Sequence, residues 1–133
     1  MLPGLLERSL ARGWRAVVQT ASDERAEALD AHLWTYADDS FLPHGLAVGD
    51  SADRQPILLT TGEDNQNRAN VRFLVDGVGP GEVAGYERVV IMFDGNDDEA
   101  VSAARGWWKR VKGDGHEATY WQQNPAGRWE EKA

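Results

Sequence analysis

Four compact runs rich in apolar and β-branched residues, "WRAVVQT", "ILLTT", "VRFLVDG" and "YERVVIMFDG", set the strongest limit on how this chain can fold. Each reads as a short buried strand. The segments around them carry helical signals. "LPGLLERSLARG" places Leu2, Leu5, Leu6 and Leu10 near one helical face and closes on Gly13, the residue favoured just past a helix end. "SDERAEALDAHLWTY" opens on Ser22 as an N-cap, with Asp23 and Glu24 at the positive end of the helix dipole. "NDDEAVSAARGWWKRVKGDG" runs from acids to bases and ends at Gly113 or Gly115. "HEATYWQQ" alternates as a final strand, and residues 124–133 read as an exposed C-terminal tail.

Strands alternating with helices predict one α/β domain over residues 1–133, a three-layer Rossmann-like sheet that is mostly parallel. An antiparallel element is expected where residues 71–75 lead into 88–93. The chain opens on a helix, whereas a doubly wound sheet normally begins with a strand that becomes one of its central members, so the usual first strand is expected to be missing. Between Ala37 and Pro56 lies a polar, turn-rich connection longer than most compact domains use, which marks it as a candidate functional segment.

At 133 residues and 41% apolar content the chain can build a real core. The absence of cysteine excludes a disulfide framework and a Cys-based zinc site, which suits a reducing cytoplasm. No membrane span or signal peptide is read from the sequence. With 22 acidic against 14 basic residues, a net charge of −8, the overall field repels phosphate backbones, and no direct nucleic-acid partner is expected. A local basic patch can still select an acidic peptide.

Two motifs imitate nucleotide sites. "GVGPGEVAG" carries Gly79-x-Gly81-x-x-Ala84 after a strand, but the dinucleotide fingerprint needs a helix next to hold the pyrophosphate, and here Pro80 interrupts and another strand follows. A glycine-rich hairpin is the expectation. "VVIMFD" ending at Asp94 lacks an accompanying phosphate loop. "DGNDDE" lacks the glycine and the glutamate of a calcium loop and reads as acidic capping of the third helix. His32, His44 and His116 show no ligand spacing. Neither a cofactor nor a catalytic set is nominated. Two rival functions stay open: a nucleotide-binding regulator built on Gly79–Gly85, for which a helix after Gly85 would speak, and a small metal-dependent hydrolase, which requires Asp94, Asp97, Asp98 and His116 to converge.

Two aromatic clusters remain. In the third helix Val101, Ala104 and Val111 share an inward stripe with Trp108 at its margin, and Arg105, Lys109 and Lys112 occupy the neighbouring face. Such a ridge could hold a peptide carboxylate while the indole shelters an apolar side chain. The alternative is that the cations answer the helix dipole and the adjacent tryptophans, Trp107 and Trp108, complete a core. In the second helix Ala26, Leu29, Leu33 and Tyr36 share an inward arc, and Trp34 points away from it toward the loop bearing Phe41, Leu42 and Pro43. This is either a binding patch or a loop folded back onto an indole.

"LDAHLWTYADDSFLPHG", the basic "RGWWKRVK" and the terminal "YWQQ" together resemble the chi subunit of the bacterial DNA polymerase III holoenzyme, over nearly the whole chain. The most specific part is the L-D-x-x-L-W…S-F-x-P-H run from Leu29 to His44. The resemblance implies a nucleotide-binding-like α/β fold without nucleotide chemistry, and a non-catalytic cytoplasmic role in the clamp-loader assembly. It implies that Arg105, Trp108 and Lys109, with Lys112 a weaker match, bind the acidic C-terminal tail of single-stranded DNA-binding protein, which ends in aspartates and Pro-Phe. It further implies that Trp34, Phe41, Pro43 and His44 meet the psi subunit or a helicase. Two departures follow. Family members usually open with a strand before the first helix; its loss would leave two inner strands unpartnered, so the sheet is expected to be gapped, rearranged or completed by another molecule. Gly106 stands in the basic helix where a helix former is expected.

Overall fold

The computed structural model describes residues 2–35, 44–46, 56–61, 68–75, 78–79, 86–126 and 128–131. Among these residues, three helices, α1 (Leu2–Ala11), α2 (Asp23–Thr35) and α3 (Asp98–Gly113), accompany seven strands. These are β1 (Ala16–Gln19), β2 (Gly45–Leu46), β3 (Ile57–Thr60), β4 (Val71–Leu74), β5 (Arg88–Asp94), β6 (Glu117–Gln123) and β7 (Trp129–Glu131). They form one sheet in the order β2-β3-β1-β4-β5-β6-β7, parallel throughout except for β6 with β7.

The β-branched runs form the inner strands for a simple reason: every residue of β1, β3 and β4 is buried, so each run must be apolar on both faces. Alternate side chains enter two cores. On one face Val18, Ile57, Phe73 and Val90 pack with Leu6 of α1 and with Ala26 and Leu33 of α2. On the other, Val17, Leu58, Ile91 and Ala118 pack with Ala104 and Val111 of α3. Helices therefore lie on both sides of the sheet, as expected of a Rossmann-like domain. A charged residue sits among these apolar neighbours: Arg72 is 1% exposed, hydrogen-bonds the Gln19 side chain and lies 5.7 Å from the Tyr86 ring.

Local signals set the helix ends as read. Past α1, Gly13 takes φ +80°. Its N–H reaches Leu10 O at 2.9 Å and that of Trp14 reaches Ser9 O at 3.0 Å, the paired bonds of a Schellman close. The same pattern ends α3, where Gly115 (φ +90°) and His116 donate to Lys112 O and Val111 O. Ser22 Oγ accepts from Arg25 N–H at 3.2 Å, and Asp97 caps α3 through the N–H groups of Glu99 and Ala100.

Three expectations need correction. β4 and β5 are parallel, with Val71 opposite Arg88, rather than antiparallel, so a tight hairpin does not connect them; most of the glycine-rich segment lies outside the described residues. It lies within the thirteen residues between Leu74 and Arg88, about the length that a parallel crossover requires. Of the outcomes expected without the usual first strand, the gap is excluded: β4 takes β5 directly as its neighbour, and among the described residues no inner strand lacks a partner. Finally, residues 129–131 are an edge strand rather than tail. Asn124 makes the turn: its Oδ1 accepts from the N–H groups of Ala126 and Arg128 at 3.0 and 2.9 Å. Asn and Pro before a glycine are turn chemistry, here returning the chain onto β6. Within the long connection, Gly45 and Leu46 add a two-residue edge strand that no sequence signal announced.

Replacing Gly13 by alanine puts a Cβ on a left-handed residue. Thermal and urea unfolding should show a loss of about 1 kcal/mol.

Candidate protein-interaction sites

The side chains of α3 sort by the helical period. Ala104 and Val111 are fully buried, while Arg105, Lys109 and Lys112 are exposed on the outward flank. Trp108, half-buried, stands between the two groups. Its Nε1 donates to Ala118 O of β6 at 3.1 Å, which fixes the indole and leaves its ring to the flank. Tyr120 meets that ring edge-on, with centroids 5.8 Å apart at 77°, and Phe93 lies behind Tyr120 at 5.7 Å. Lys112 Nζ stands 5.0 Å from the Trp108 ring, a cation–π contact.

None of Arg105, Lys109 and Lys112 has a carboxylate within 4.0 Å among the described residues. The arrangement is a ridge of unneutralised charge beside a fixed, half-exposed aromatic wall. It can pair with carboxylates while giving an apolar side chain a place against the rings. Tyr120 completes that wall and was not singled out from the sequence, although alternation along β6 puts it on the face of Ala118 and so under α3. Trp107 leaves the opposite flank of the helix and packs against Gly79, where an added Cβ would come within 3.3 Å of the indole. The two neighbouring tryptophans thus serve different sides of α3, and both also pack against the core.

The second cluster is placed only in part. Trp34 is in the last turn of α2, with its side chain outside the described residues, and Phe41 and Pro43 lie wholly outside them. His44 is described, and its side chain is fully buried. Its Nε2 lies 3.2 Å from Asp30 O and 3.1 Å from Asp30 Oδ1. Both atoms are acceptors, so Nε2 carries the proton and donates to α2. This bond ties the start of β2 to α2. Any contribution of His44 to a surface at 34–43 is therefore made by holding the chain in place.

The residues of the rival readings are dispersed or otherwise engaged. Asp97 is committed to the cap of α3, and His116 follows its far end, where Nδ1 lies 3.1 Å from Tyr86 O. A helix of 16 residues spans about 24 Å, so these groups cannot share a metal ion. After Gly85 comes strand β5 rather than a helix, which removes the context a dinucleotide fingerprint needs.

Comparison with known proteins decides among these readings. The family profile described as DNA polymerase III chi subunit, HolC, matches residues 1–119. The chain belongs to the DNA polymerase III chi subunit family. A similar protein is the "Probable DNA polymerase III subunit chi" of Rickettsia prowazekii (strain Madrid E), 26% identical over 137 residues, covering 94% of this chain and 79% of the relative. Another is the "DNA polymerase III subunit chi" of Pseudomonas aeruginosa, 28% identical over 85 residues, covering 64% of this chain and 58% of the relative. Membership of this family ties the chain to DNA replication. Among the described residues no helix is long and apolar enough to cross a membrane.

Two substitutions probe this architecture. A Cβ at Gly106 would meet nothing within 4 Å, so Gly106→Ala should stabilise the protein by about 0.5–1 kcal/mol in thermal melts. His44→Ala removes the tie to Asp30 and leaves a cavity, and urea unfolding should show a loss of about 2 kcal/mol or more.

Proposed function

We propose that this chi-family chain is a non-catalytic cytoplasmic subunit that links the polymerase III clamp loader to single-stranded DNA-binding protein by holding that protein's acidic C-terminal tail. The observation that carries the reading is the ridge Arg105–Lys109–Lys112, without a carboxylate partner among the described residues, beside the fixed Trp108 ring on a molecule otherwise strongly acidic. The aspartates and terminal carboxylate of such a tail need cations, and its last aromatic residue needs an apolar wall. Guanidinium and ammonium groups near an aromatic edge offer both. Since the charges are exposed, they act mainly through selectivity and rate of encounter, and the pairing is screened by salt.

On the same reading, residues 34–44 form the contact with the psi subunit or a helicase. Trp34, Phe41 and Pro43 would supply the apolar area, and His44 would anchor their segment to α2 through Asp30. The tail and this second partner would then occupy separate parts of the chain, so one molecule could hold both.

Fluorescence anisotropy with a labelled peptide ending in several aspartates and Pro-Phe tests the proposal. Micromolar binding is expected, weakening as salt rises and lost in Lys109→Glu. The absence of binding by the intact protein at low salt overturns it.

A further inference from the structure

The face of the sheet opposite α3 carries a second concentration of cations and indoles. A cleft of about 210 Å³ opens there between α1 and strands β4 to β7. Leu5, Phe73 and Val90 contribute its apolar floor, Trp121 a wall and Arg8, Arg12 and Arg88 its cationic rim. Arg8 lies on α1 and Arg12 in the turn just past its end; both are exposed, and neither has a carboxylate within 4.0 Å among the described residues. The guanidinium carbons of Arg12 and Arg88 stand 3.8 and 5.2 Å from the centroid of one ring, that of Trp14. Arg88 is paired with Glu117, but its buried Nε has no hydrogen-bond partner.

The indoles decide what kind of anion suits this surface. Trp14, Trp121 and Trp129 are all half-buried and pack on this one side of the sheet. Trp129 stands opposite Gln123 on the antiparallel edge pair, two residues along β6 from Trp121. A sheet face with flat rings and interleaved arginines matches how single-stranded nucleic acid is held: bases stack on the rings and guanidinium groups take the phosphates. Trp14 is engaged by Arg12 and Arg88, which leaves Trp121 and Trp129 as the rings a base could meet, and an acidic peptide needs the cations but has less use for a pair of indoles.

We infer that this face is a second binding site, for single-stranded nucleic acid, with phosphates at Arg8 and Arg12 and a base against Trp121. The net charge of −8 makes the site weak when it acts alone. Under the proposed function, on which the biological use of this site rests, the tail held at α3 keeps the coated strand close and raises its effective concentration at the opposite face. Glu131 lines the same cleft, and its carboxylate opposes a phosphate.

Anisotropy of a labelled oligothymidylate with the full-length protein, at low salt and with no other protein present, tests the site. Binding should fall steeply with salt and drop by more than about tenfold in Arg8→Gln/Arg12→Gln, which loses only the exposed contact of Arg12 with Trp14 and should still unfold cooperatively. Trp121→Ala should cost about tenfold, and Glu131→Gln should tighten binding. The acidic peptide should bind the double variant as it binds the wild type. The inference is overturned if the oligonucleotide does not bind, if the double variant binds it equally, if Lys109→Glu abolishes its binding, or if the double variant loses the peptide instead. Oligonucleotide binding without peptide binding would sink the proposed function and leave this site standing; the converse would do the opposite.

Discussion

Parallel pairing between β4 and β5 joins the two halves of this molecule into one sheet. On one side of the junction lie β1, β2 and β3, and on the other β5, β6 and β7. Without it, Val71–Leu74 and Arg88–Asp94 would each present a row of buried backbone donors and acceptors with no partner, a cost that no side-chain packing nearby could offset. With it, the apolar faces of seven strands become continuous enough for helices to seat on both sides.

The placement of charge follows from that seating. Because α3 lies over β5 and β6 through Ala104 and Val111, its remaining flanks are fixed, and Arg105, Lys109 and Lys112 must face water. Trp108 is held at the boundary by its bond to Ala118 O. On the other face α1 seats through Leu6, and Arg8 on the helix and Arg12 just past its end line a cleft with Trp121, on the side of the sheet where Trp129 also packs. An acidic chain thereby carries two local positive surfaces, one on each side of its sheet. The distant acids do not cancel either surface, since at physiological salt charges are screened over about 8 Å.

What could be read in advance depended on how far apart the deciding atoms are in sequence. The Ser22 and Asp97 caps and the Gly13 close involve residues within five positions of one another, and each was legible. So was the ridge on α3, a matter of helical period. The direction of β5 was not, because a run buried on both faces has the same composition whether its neighbour is parallel or antiparallel. β7 was missed because three residues, two of them glutamates, carry no strand pattern of their own and are held by the Asn124 turn. The role of His44 depends on Asp30, fourteen residues earlier, and that of Tyr120 on a helix packed across it.

The sequence by itself determined the helices, their caps, the inner strands and the family, because periodicity, capping and the run from Leu29 to His44 are local patterns. Only the tertiary structure decided which strands are neighbours, in which direction, and which cations have no carboxylate beside them among the described residues. Those outcomes depend on closing one sheet with every inner backbone group paired, and that condition belongs to the whole chain rather than to any segment of it.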